Sequence, residues 1–112
     1  MTLNEIAARW LGYRIVGYDG NKLIIAPNTE SYSYFLPLTD RNDLVRVEEK
    51  LPKWYEILIT KGEFYIRCTR VAGGVHSFGY VASGNYPTDY PTALLELVKT
   101  LYERGKGNED IN

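Results

Sequence analysis

The sequence predicts an α+β domain: a small antiparallel β-sheet, built as a central meander, with α-helices packed on both faces as an α/β/α sandwich. Three observations predict it. Residues 54–69, WYEILITKGEFYIRCT, alternate apolar and polar side chains with a period of two about Lys61-Gly62, the pattern of a hairpin. Segments near residues 2–11, 39–51 and 88–104 repeat apolar residues at helical spacing. A hairpin alone is marginal in water, so its apolar face needs a cover, and these helices supply one.

Within the hairpin, Tyr55, Ile57, Ile59, Phe64 and Ile66 share one side, while Leu58 and Tyr65 stand on the other. Apolar residues in both phases suit a sheet covered twice.

The 112 residues fit one domain, placed at 1–104, with a flexible polar tail at 105–112. Hydrophobic residues make 45% and charged residues 24%, which is globular composition and not that of a disordered chain. A net charge of -1 excludes a whole-molecule basic field, so nucleic acid is not the expected partner. One cysteine permits no internal disulfide, and one cysteine with one histidine cannot build an ordinary zinc site. No apolar run approaches the roughly 18 residues of a membrane span. The early acid in an amphipathic first helix is unlike a signal peptide, so a cytoplasmic location is expected. No cofactor is expected.

Taken in order, Thr2 and Glu5 form a capping box that opens the first helix, and Gly12 closes it. Leu3, Ile6, Ala7, Trp10 and Leu11 fall on one face, with Trp10 as the main anchor. Tyr13–Tyr18 and Lys22–Ala26 read as strands about the turn Asp19-Gly20. Tyr32–Leu36 reads as another extended piece before Pro37. Thr39 or Asp40 caps a second helix that Pro52 stops, with Asp43 favouring its dipole and Leu44, Val47 and Leu51 as its stripe. Beyond the hairpin, Ala72-Gly73-Gly74 links to a strand from Val75 to Ala82. Ser83–Thr88 is a loop, Thr88 or Asp89 caps the last helix, and Gly105 is expected to end it.

Residues 35–51, FLPLTDRNDLVRVEEKL, carry Pro37, Thr39, Asp40, Val47 and Leu51 at the spacing P-x-S/T-D-x-x-x-A-x-x-V-x-x-x-L. This run resembles the phage ABA sandwich domain, a family of small bacteriophage and prophage proteins. Pro91-Thr92-Ala93-Leu94-Leu95 is similar to the start of that family's last helix, and Trp10-Leu11-Gly12 is loosely similar to its N-terminal region. The chain departs from the family in lacking its alanine-rich helix spacing and in inserting Tyr13–Tyr34. The resemblance implies a sheet between helices and a phage or prophage setting, and little about activity.

Several residues could carry chemistry. Arg67, Arg70 and Lys61 interleave with Tyr65 on the hairpin, a pattern that could bind a nucleotide-type anion. Glu56 and Glu63 dilute that charge, and a solvated rim is the simpler reading. Residues 85–91, NYPTDYP, hold Tyr86 and Tyr90 before a helix N-terminus, either as a contact surface or as a plain connecting loop. His76 alternates with Phe78 and Tyr80 and reads as a sheet residue, and Cys68 shares the phase of Ile66 and reads as a small buried hydrophobe. A Cys68–His76 dyad lacks a third, orienting group. The glycines at 73, 74 and 79 run into a strand, unlike a phosphate loop. The candidate ligand-binding set is Arg67, Tyr65, Arg70, His76, Tyr86 and Tyr90.

The expected function is therefore a non-enzymatic phage accessory protein that binds another protein. It is expected to self-associate, as a possible homodimer, through an exposed strand edge or a tyrosine-rich face. The second expectation is a protein that sequesters a small anionic nucleotide-type ligand.

Overall fold

In a computed structural model the chain is an α+β protein whose described residues form three helices, two three-stranded antiparallel sheets and a two-stranded ribbon. The backbone is described for residues 1–69, 71–72, 75–76 and 79–111, and side chains for 1–69 and 81–104.

Helix α1, Leu3–Trp10, starts where the Thr2 hydroxyl accepts a hydrogen bond from the Glu5 amide at 3.2 Å. The Glu5 carboxylate turns instead to the hydroxyl of Tyr18, which donates to it. Gly12, at φ 84°, takes the left-handed conformation just past the helix end. Trp10 is only half-buried; Ala7 and Ala8, both fully buried, let α1 approach helix α3, Tyr90–Ile111.

Strands β1, Arg14–Asp19, and β2, Lys22–Ala26, pair about Gly20-Asn21. The short β3, Ser33–Tyr34, adds to β2 and completes the first sheet, so the Tyr13–Leu36 region stands apart from the hairpin sheet. Helix α2, Arg41–Lys50, is capped by Asp40, which accepts from the Asn42 amide at 2.8 Å.

The central hairpin is β4, Tyr55–Thr60, and β5, Glu63–Cys68. Lys61 and Gly62 both have positive φ, 37° and 79°, as a two-residue turn between right-twisted strands requires. The third strand differs from the expected Val75–Ala82. A small ribbon, β6 (Val71–Ala72) with β7 (Val75–His76), comes first. Strand β8, Gly79–Asn85, then pairs with β5, so Ser83–Asn85 is strand and not loop. Gly84 permits this: a Cβ there would lie 3.1 Å from the Phe64 ring and 3.1 Å from Asp89 Oδ2. Helix α3 also continues through Gly105, because glycine costs a helix only about 1 kcal/mol and does not forbid it.

One core joins both sheets and all three helices. Leu23, Ile25, Phe64 and Ile66 point inward from the sheets against Ala7, Leu44, Val47, Leu94 and Val98. Tyr55 and Ile57 pack beside them, whereas Ile59 is 44% exposed at the end of the hairpin. The opposite side of the hairpin sheet carries Glu56, Leu58, Thr60, Glu63, Ser83 and Asn85, all exposed. Cys68 is buried and free, as its phase predicts.

Candidate functional site

The connection from β8 into α3 folds back against the start of α2. The Asn85 amide donates to Asp89 Oδ2 at 3.1 Å, and the Asp89 amide donates to the Asn85 carbonyl at 2.9 Å. This closed turn holds Tyr86 and Tyr90 with ring centroids 5.4 Å apart. Tyr90 also stands edge-on to Phe64 at 5.3 Å, which anchors it in the core.

Across from the tyrosines lie Pro37, Leu38 and Leu44, and between them is an open groove of about 240 Å³. Pro87 and Pro91 complete its apolar wall, with Thr39, Asp40 and Arg41 at its rim. The Arg41 guanidinium donates to the Tyr86 hydroxyl at 2.8 Å. Two further bonds fix the Leu36–Thr39 side. The Leu36 amide donates to Asp43 Oδ2 at 2.9 Å, and the Leu38 amide to Asn4 Oδ1 at 3.3 Å.

The Tyr90 hydroxyl and Glu48 Oε1 are buried, and among the described residues neither has a hydrogen-bond partner of ordinary geometry. Burial, then the negative charge of Glu48, then its closeness as an acceptor to the hydroxyl, raise the Tyr90 phenol well above its ordinary pKa. Arg41 opposes that shift weakly.

The structure therefore divides the six residues read from the sequence. Tyr86 and Tyr90 meet in the groove. Tyr65 and Arg67 sit on the other side of the hairpin sheet, each held by an acid. The Tyr65 hydroxyl donates to Glu63 at 2.7 Å, and Arg67 forms an ion pair with Glu56. Arg70 and the side chain of His76 lie outside the described residues. Sequence reasoning missed Arg41 and the prolines as neighbours of the tyrosines. The available signal was that both helix starts, PLTDR and YPTDYP, combine proline with a capping acid.

A second aromatic surface lies on the first sheet. Tyr34 pairs with Ile24, and with Tyr32 and Ser33 they line a shallow hollow of about 440 Å³. The Tyr34 hydroxyl donates to Asp19 at 2.6 Å, and Lys22 Nζ lies 5.2 Å from the centre of its ring. That hydrogen bond to Asp19 raises the Tyr34 pKa.

Among the described residues, no group of three or more His, Cys, Asp or Glu could hold a metal ion. No described helix is long and apolar enough to cross a membrane. Neither a protein-family model nor a curated protein matches the chain.

Proposed function

We propose that this protein is a non-enzymatic accessory protein, of phage or prophage type, that acts by binding another protein at the proline–tyrosine groove. The groove itself carries the reading. Rigid rings on two sides, with one cation at the rim, suit an apolar side chain of a partner segment and a carbonyl or carboxylate beside it. Most of the polar side chains at the groove and on the hairpin support binding over catalysis, because they are already committed, the buried Tyr90 hydroxyl and Glu48 carboxylate excepted. Arg41 holds Tyr86, Arg67 holds Glu56, Tyr65 holds Glu63, and Asp40, Asp43 and Asp89 hold backbone amides. The phage setting rests on the motif of Pro37, Thr39, Asp40, Val47 and Leu51.

The test is affinity capture from an infected or lysogenic host extract, with wild type and two variants compared. Tyr86→Ala should lose the captured protein, and Tyr65→Ala should keep it. Capture indifferent to Tyr86→Ala removes the groove from the reading. The nucleotide-binding alternative loses support from Arg67, whose charge Glu56 offsets. Under that alternative, mono- or cyclic nucleotides raise the melting temperature, since a ligand of the folded state stabilises it.

A further inference from the structure

We infer that the free edge of β4 is a homodimer interface, at which two copies pair antiparallel with Ile57 of each chain opposite Ile59 of the other. The inference is independent of the groove.

The hydrogen-bond phase of the hairpin fixes which groups face outward. The Thr69 amide donates to the Trp54 carbonyl at 2.7 Å, so Trp54 and Thr69 are a hydrogen-bonded pair. Hydrogen-bonded and non-bonded pairs alternate along an antiparallel ladder. Glu56, Leu58 and Thr60 therefore spend their backbone groups on β5, opposite Arg67, Tyr65 and Glu63. Ile57 and Ile59 direct theirs away from it. Strand β4 is at the edge of its sheet, and no described residue takes those groups. The Tyr55 amide donates to the Pro52 carbonyl at 3.1 Å, which marks where the open edge begins. The turn at Lys61 marks where it ends.

The register follows from this short window. Pairing Ile57 with Ile57 of the second copy would set Ile59 against Tyr55, whose amide is already engaged. Pairing Ile59 with Ile59 would set Ile57 against Lys61 in the turn. Only Ile57 opposite Ile59 uses both open amides and both open carbonyls of each chain, making four bonds across the two-fold axis.

The side chains agree with that register. Leu58, 42% exposed, meets Leu58 of the second copy on the axis, and Ile59, 44% exposed, meets Ile57. The Glu56 carboxylate, already paired with Arg67, faces neutral Thr60. No like charges are opposed. The strand also lacks the usual guards of an exposed edge: Tyr55–Thr60 contains no lysine, no proline and no bulge. The product is one six-stranded sheet, ordered β8-β5-β4-β4-β5-β8.

The test is sedimentation equilibrium over a concentration series. The wild-type mass should rise from 12.8 kDa toward twice that value. Leu58→Lys places two cations on the axis and should hold the mass at the monomer value, with an unchanged circular dichroism spectrum and groove binding intact. Leu58→Cys, under mild oxidation, should cross-link to itself. Glu56→Cys should not cross-link alone, but should do so when mixed with Thr60→Cys. A wild-type mass that stays monomeric at every concentration overturns the inference. So does a dimer that survives Leu58→Lys, or one lost in Tyr86→Ala instead.

Discussion

The hydroxyl of Tyr90 and the carboxylate of Glu48 are buried close enough for Glu48 to act on the phenol, yet the two do not meet in ordinary hydrogen-bond geometry. A buried polar atom with no partner costs roughly 1–3 kcal/mol. Tyr90→Phe keeps the ring contacts to Phe64 and Tyr86 and removes that cost. We expect the variant to be more stable than wild type by about 1 kcal/mol in urea denaturation. A loss of stability would mean that the hydroxyl is bonded in solution.

The same pair sets an alkaline limit. In the folded chain the Tyr90 phenol is held neutral, with its pKa raised by burial and by Glu48 above the ordinary value of 10.0. In the unfolded chain it ionises near that ordinary value. The unfolded state therefore releases a proton that the folded state keeps, and stability falls as pH rises above about 10. Below that pH the contribution is complete. Melting temperatures measured from pH 8 to 11 should decline less steeply for Tyr90→Phe than for wild type.

Asp43 acts across the chain, since its carboxylate receives the Leu36 amide at 2.9 Å while only 8% of the residue is exposed. Its pairing with Arg46 is loose, at 4.0 Å. Asp43→Ala leaves that amide without its acceptor and should cost about 1.5–3 kcal/mol, the range for hydrogen bonds to charged groups. Arg46→Ala should cost under about 0.5 kcal/mol, as exposed helix pairs do. Equal losses in the two variants would show that the ion pair, and not the amide bond, carries Asp43.

The elements legible in the sequence were those with strong local chemistry. Thr2, Asp40 and Lys61-Gly62 mark starts and turns because capping and positive φ are decided within a few residues, and the turn read at Asp19-Gly20 falls one residue later, at Gly20-Asn21. Asp43 shows the limit. Read locally it favours a helix dipole, but its main bond is to Leu36, and only folding brings that amide to it. The groove was half legible for the same reason. NYPTDYP singles out Tyr86 and Tyr90, but Arg41 lies 45 residues from Tyr86 in the chain. The strand after Val75 was misplaced because Gly84 reads as loop, while in the fold its missing side chain is what admits Phe64 and Asp89.

That crowding at Gly84 gives a further prediction. A methyl group there would sit 3.1 Å from the ring of Phe64, which is fully buried and cannot swing aside. Asp89 Oδ2, also at 3.1 Å, is held by the Asn85 amide. Gly84→Ala should therefore cost about 1–3 kcal/mol, the range for overpacking. Tyr86 sits just beyond this turn, so groove binding should weaken together with stability. Ser83→Ala, one residue earlier and exposed, should change neither.

The hairpin turn offers the opposite sign. Lys61 is held at φ 37°, where a side chain with a Cβ is strained, and it precedes Gly62 at φ 79°. Asparagine tolerates the left-handed region better than lysine, and Asn-Gly is the preferred pair for this turn. Lys61→Asn should therefore stabilise the protein by about 0.5 kcal/mol, a rise in Tm of roughly 2 °C for a domain of this size. Gly62→Ala puts a second Cβ into the same region and should lower stability by about 1–2 kcal/mol. Space is not the issue there, because a Cβ at Gly62 would meet nothing within 4 Å. A neutral Gly62→Ala would mean that the turn relaxes to another conformation. In that event the β4–β5 register would shift, and the pairing of Leu58 with Tyr65 would shift with it.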